Sequence, residues 1–221
     1  MLAIKALTGA GWLVMSRVVG RLIDFVTVIV LAGILTPADF GLTALAMTLI
    51  VIMDMIFEVP IAQALLRRQT FDKSHLDTGF TIGLLRGLFV TLILIALAWP
   101  FALFYHDMRL FPVTAFLAIG PAVRGLGSPA MVMFARRLSF RQTFIAEFAG
   151  KISAFSVAIT VVLLGGGYWA IAANSVMSAT AATVVSYILA PYRPALTLSC
   201  LADFASFTGW FNFAQIVCAF N

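Results

Sequence analysis

From Ile152 through Tyr192 the chain contains no Asp, Glu, Lys, Arg or His. A helix needs about 20 apolar residues to cross the hydrocarbon of a bilayer, so this stretch is long enough for two crossings. Gly165-Gly166-Gly167 divides it into two spans. The same reading finds six segments in all, roughly 11–35, 41–66, 78–104, 110–134, 143–164 and 168–190. A seventh apolar stretch runs from Phe204 to Asn221. Composition points the same way. Charged residues make up 10% of the chain and hydrophobic ones 62%, where a soluble domain carries about 25% charged residues. That leaves too little charge to coat a soluble globule, which excludes a soluble enzyme and a disordered tail. The net charge of +5 has no solvated basic patch with interleaved aromatics behind it, so nucleic acid is excluded as a partner. A β-barrel would show alternating segments of about 10 residues, and these runs are too long and continuous. The fold class is all-α, a polytopic membrane helical bundle of six transmembrane helices plus the start of a seventh. Residues 1–202 form one six-helix lobe and 203–221 the start of a second, truncated one.

Punctuation within the chain refines this outline. Thr36-Pro37-Ala38-Asp39 reads as a turn followed by a helix start, with Pro pre-setting φ and Asp39 able to cap. Gly120-Pro121 and Pro129 interrupt the fourth span, which is predicted to bend. Arg17 and Arg21 interrupt the first apolar run and no small-x-small cleavage site follows, so it reads as a retained helix rather than a signal peptide. Cys200 and Cys218 match no metal or redox spacing and read as buried thiols.

Loop charge sets orientation. The amino terminus and the loops 2–3, 4–5 and 6–7 carry Lys5, Arg67, Arg68, Lys73, Arg136, Arg137, Arg141 and Arg193, whereas the opposite loops carry Arg109 alone. By the positive-inside rule the amino terminus is cytoplasmic, and the membrane is expected to be a bacterial inner membrane.

The charges inside the spans carry the functional argument, since an ionisable group there costs about 2.5–3.5 kcal/mol or more and marks a cavity or pathway by default. Arg17, Arg21 and Asp24 share one helix face. Either Arg17 snorkels and Asp24 pairs with Arg21, or the face is the cationic wall of an inner cavity. Asp54 and Glu58 also share a face; one of them is expected to hold a proton or find an arginine on a neighbour. That suits an ion-coupling site, with Asp24 and Glu147 as further candidates, but Glu58-Val59-Pro60 also reads as a kink or the end of a span. Glu147 and Lys151 read as a self-neutralising i,i+4 pair. Arg86 has no partner in its own helix. Arg124 stands 14 residues after Leu110 and 12 before Arg136, roughly 18–21 Å from either end of a straight helix. It needs an acid from another helix or an anionic ligand, and a guanidinium fork suits phosphate. The small residues Ala170, Asn174, Ser178, Ala182, Ser186 and Ala190 recur every four positions and read as a packing seam.

No catalytic constellation emerges, and the chain is not expected to be an enzyme or to hold a cofactor or metal. His75, beside Asp72 and Asp77, and His106, beside Asp107, read as solvated loop histidines without zinc spacing. No G-x-x-x-x-G-K-[ST] loop is present for ATP.

Several segments then resemble a known family in its order: Ile34–Ala46 (ILTPADFGLTALA), Ala64-Leu-Leu-Arg-Arg68, Thr78-Gly-Phe80, Arg136-Arg-Leu-Ser-Phe-Arg141 and Gly165-Gly-Gly-Tyr-Trp-Ala-Ile171. This ordered set resembles the polysaccharide transport (Wzx-like) flippases of the multidrug/oligosaccharidyl-lipid/polysaccharide exporter superfamily. The resemblance implies a carrier that moves a polyprenyl-pyrophosphate-linked oligosaccharide from the cytoplasmic to the periplasmic leaflet. It implies two helical lobes alternating about a cationic cavity, reset by an ion gradient. Pro60 stands where relatives carry a glycine-rich turn. The resemblance names no invariant binding arginines, so Arg17, Arg21, Arg86, Arg124 and Lys151 rest on their depth. A carrier of this kind needs two lobes, so the chain is expected to work with a second lobe or a homodimer partner. The rival readings are a cation-coupled multidrug exporter of the same superfamily and a non-transporting membrane assembly subunit.

Overall fold

The computed structural model describes residues 2–67 and 72–200. The seventh apolar stretch, the second-lobe assignment of 203–221, Arg68 and Cys218 lie outside the described residues. Among the described residues all regular structure is helical, with no strand: α1 (Leu2–Ala32), α2 (Pro37–Ile56), α3 (Ile61–Arg67), α4 (Lys73–Phe104), α5 (Leu110–Leu117), α6 (Ile119–Gly125), a 3-10 turn (Pro129–Met131), α7 (Val132–Arg136), α8 (Arg141–Leu163) and α9 (Trp169–Leu189).

Four of these stretches are long and apolar enough to cross a membrane: Pro37–Leu66, Lys73–Phe104, Arg141–Leu163 and Trp169–Leu189. The count reaches five if Leu110–Gly125 and Pro129–Arg136, which meet at 56°, form one broken span. The chain is a multi-pass membrane protein, but six spans are not confirmed. The shortfall is α1, which at 31 residues is long enough yet carries Arg17, Arg21 and Asp24 between Gly11 and Ala32.

The start of α2 shows how local chemistry fixes a boundary. Thr36 is the N-cap and Pro37 the first helical residue, a position where the missing proline N–H is no loss. Asp39 N–H donates to Thr36 Oγ1 at 3.3 Å and Thr36 N–H donates to Asp39 Oδ2 at 3.0 Å, closing a reciprocal capping box. Thr36 holds the N-cap position, and Asp39 caps from the third helical position. Between α8 and α9, Gly165 and Gly167 take φ of +79° and +53°, left-handed values that glycine adopts without a Cβ clash. His75 and Asp77 are not loop residues: α4 begins at Lys73, so both lie in its first two turns. Asp72 N–H donates to His75 Nδ1 at 3.4 Å. His106 does lie in the turn after α4, at φ +55°.

Helix breaks at membrane depth leave carbonyls without intrahelical donors, which must be satisfied by protein because lipid offers none. Each break here meets a side chain from a neighbouring helix. Thr91 of α4 donates to Ala118 O, between α5 and α6, at 2.7 Å. Thr183 and Tyr187 of α9 donate to Val123 O and Leu126 O at 3.2 and 2.9 Å. At the end of α2, Arg86 donates to Phe57 O and to Asp54 O.

Among the described residues, buried apolar residues pack in three clusters, one of them Leu65 of α3 with Leu76 of α4 and Val132 of α7. Leu42, Ala46 and Ile50 of α2 pack with Val90 and Leu94 of α4 and with Leu110, Val113 and Leu117 of α5. Leu31 and Leu35 pack with Ala158 and Val162 of α8 and Ala170 of α9. The seam between α8 and α9 is close. A Cβ on Gly150 would stand 2.9 Å from Ser178 O and 3.2 Å from the Ala182 Cβ, so only glycine fits there. After α9 an extended strap returns along the start of α4. Tyr192 Oη donates to the buried Asp77 carboxylate, Ala195 N–H to the same Oδ1 at 3.3 Å, and Thr197 N–H to Thr81 Oγ1 at 3.1 Å. Burial, and after it the bond to Asp77, hold the Tyr192 phenol above its ordinary range.

Candidate functional site

An open cavity of about 630 Å³ is lined by residues of α1, α2, α6, α8 and α9. Among them are Asp24 and Thr27 of α1, Met47 of α2, Arg124 of α6, Glu147 and Lys151 of α8, and Asn174, Ser178, Ala182 and Ser186 of α9. The small-residue stripe thus has two roles. It is a packing seam, as its spacing predicts, and four of its six residues, Asn174, Ser178, Ala182 and Ser186, form one wall of the cavity.

Arg124 lies in the last turn of α6, where a cation complements the negative end of the helix dipole. The span is broken there, so the straight-helix depth does not apply. Its Nη2 donates to Asp54 Oδ2 of α2. It has no other hydrogen-bond partner among the described residues, and its side chain is 45% exposed. Sequence reasoning asked for an acid on another helix or an anionic ligand; the acid is Asp54.

Asp54 meets a second guanidinium as well. Arg86 Nη2 donates to its Oδ1 at 3.1 Å, and the Asp54 side chain is 24% exposed. Arg86, without a partner in its own helix, finds its partners on α2: it closes the carbonyl end of that helix and holds the Asp54 carboxylate. It does not line the polar cavity. Arg86 and Glu58 instead line an apolar groove of about 810 Å³ with Phe57, Leu85, Phe89 and Leu92. Glu58 falls in the break between α2 and α3, the kink that was one of its two sequence readings.

On the other side of the cavity, Lys151 Nζ reaches both oxygens of Asp24 at 2.5 and 2.6 Å. Glu147 accepts from Ser16 Oγ of α1. The expected Glu147–Lys151 pair does not form, because both side chains turn to α1, which packs along α8. Asp24 pairs with Lys151 rather than with Arg21. Arg17 and Arg21 are exposed on α1, outside the lining of the cavity. The cations in that lining, Arg124 and Lys151, are matched by Asp24 and Glu147. Among the described residues, no group of three or more His, Cys, Asp or Glu side chains could hold a metal ion.

Comparison with known proteins bears on what such a cavity serves. The chain is 27% identical to the succinoglycan biosynthesis transport protein ExoT of Rhizobium meliloti (strain 1021) over 195 residues, 86% of this chain and 38% of that protein. It is 21% identical to the lipopolysaccharide biosynthesis protein WzxC of Escherichia coli (strain K12) over 221 residues, 96% of this chain and 44% of that protein. The chain thus spans about two fifths of the length of these relatives. No solved structure matches it. The family described as polysaccharide biosynthesis protein matches over residues 30–221, and the chain belongs to that family.

Proposed function

We propose that residues 1–202 are one lobe of a transporter that carries a polyprenyl-pyrophosphate-linked oligosaccharide across the bacterial inner membrane, for surface or exopolysaccharide synthesis. The amino terminus is cytoplasmic, and α1 is the further crossing that brings the chain back to the cytoplasmic side. Alternating access takes place about the polar cavity, whose other wall comes from a second lobe or a homodimer partner. The observation that carries this reading is Arg124, half-exposed into the cavity with a single partner among the described residues. A guanidinium so disposed keeps donors for the two-point recognition of a phosphate group. Lys151 adds positive charge across the cavity from Arg124, Arg17 and Arg21 add it on the exposed face of α1, Arg86 acts through Asp54, and Asp24, Asp54, Glu58 and Glu147 are the candidates for ion coupling.

A second reading is favoured by Asp24, whose side chain is 59% exposed and lines the cavity. An acid so open suits a cation-coupled drug exporter of the same superfamily. Arg124→Ala in the full-length protein separates the two. Loss of surface polysaccharide with normal membrane insertion is expected for the flippase. Unchanged export in a strain that depends on this protein overturns it.

A further inference from the structure

We infer that Asp54 is a resident counter-anion: its carboxylate occupies Arg124 until the anionic group of the substrate takes its place. This rests on the reading of the cavity as an anion site and specifies how that site is kept while empty.

The two partners of Asp54 would lose different things on parting from it. Arg124 faces the cavity, and its only partner among the described residues is Asp54. Arg86 faces away from the cavity and is fixed three times over, by Phe57 O, by Asp54 O and by the Asp54 carboxylate. The two guanidiniums therefore differ in kind: Arg86 is a fixture of the α2 end, and Arg124 is the exchangeable partner. Removing one member of a partly buried ion pair is unfavourable because it strands the other charge. Here an arriving anion that takes Arg124 does not strand Asp54, which keeps Arg86 at 3.1 Å. Arg124 in turn is never without an anion, whether the cavity is empty or filled. The arrangement also explains why Arg86, which does not line the cavity, sits beside an acid that reaches it.

Competition of this kind makes a signed prediction for a residue outside the cavity. Asp54→Asn removes the competitor and strengthens binding of inorganic pyrophosphate to the purified full-length protein. Arg86→Gln leaves Asp54 with Arg124 alone, so displacement becomes harder and binding weakens. One charge-assisted hydrogen bond sets the scale, about tenfold in each direction. Simple field effects give the same two signs, and the double variant separates the explanations. With Asp54→Asn already present, Arg86→Gln has nothing left to act on and changes affinity less than about twofold, a non-additive cycle. Additive effects overturn the inference. Arg86→Gln also removes a cap from α2, so a measurement on the unaltered side chains stands beside it. Pyrophosphate should shift the carboxylate stretching band in infrared difference spectra, and the shift should vanish in Asp54→Asn. A difference spectrum identical in the two proteins overturns the inference as well. If Arg124→Ala leaves pyrophosphate binding intact, the anion site itself is wrong. If that variant abolishes binding while the Asp54 and Arg86 effects are additive, the anion site stands and only the exchange fails.

Discussion

The contact between Asp24 and Lys151 makes a quantitative claim about how α1 is attached. Lys151 Nζ lies 2.5 and 2.6 Å from the two Asp24 oxygens, and its stem lies over Gly20, where an added Cβ would come within 3.0 Å of Lys151 Cε. Lys151→Met keeps most of the stem and deletes the charge, so it isolates the ion pair from the packing. A fully exposed pair contributes about 0.2–1 kcal/mol, and breaking a buried one costs about 3–5 kcal/mol. Lys151 is 27% exposed and Asp24 59%, which puts the expected loss nearer the lower range, about 1–2 kcal/mol. The assay is reversible unfolding of the purified protein in mixed detergent and SDS micelles, with a double-mutant cycle across Asp24→Asn and Lys151→Met. A coupling energy of about 1 kcal/mol is expected for this pair and close to zero for Glu147→Gln with Lys151→Met. The reverse ranking would refute the argument, since it is what an i,i+4 pair along α8 produces.

Gly150→Val drives a branched side chain into the Ser178 carbonyl, 2.9 Å from the first carbon, and should cost at least about 1–3 kcal/mol by overpacking in the same unfolding assay. Asp77→Asn weakens the acceptor for Tyr192 Oη and Ala195 N–H; hydrogen exchange at Ala195 should speed up about tenfold on the scale of one charge-assisted bond, with amides in α9 unchanged.

Turns and helix ends were legible because their causes are local. Thr36-Pro37, Pro129 and the three glycines at 165–167 each act within a few residues, and each marks a boundary in the structure. The site was legible only as a set of charges. A helical period tells which residues share a face; it does not tell which helix that face meets. Asp54 is 70 residues from Arg124 and 32 from Arg86, and nothing in either neighbourhood names the other. Glu147 and Lys151 misled for the same reason: their spacing fits a pair, yet the adjacent helix offers each a better partner. Arg86 carried a signal that could have been read. A cation without a partner in its own helix, facing a segment broken by Pro60, is well suited to close the carbonyl end of the helix before that break. Asp77 gave no such signal, because its partners lie more than a hundred residues away.

On the proposed reading of the chain as one lobe of a transporter, the near-balance of these charges bears on its electrical character. Five basic residues (Arg17, Arg21, Arg86, Arg124, Lys151) stand against four acidic ones (Asp24, Asp54, Glu58, Glu147), a surplus of one positive charge. Moving one elementary charge through the full membrane potential is worth about 2.3 kcal/mol per 100 mV. A set of charges that shifts as a body transports only its surplus, so voltage has a grip of one charge here rather than nine. An anionic passenger with more than one negative charge would then outweigh the protein's own contribution, and the cargo would set the sign of the voltage dependence.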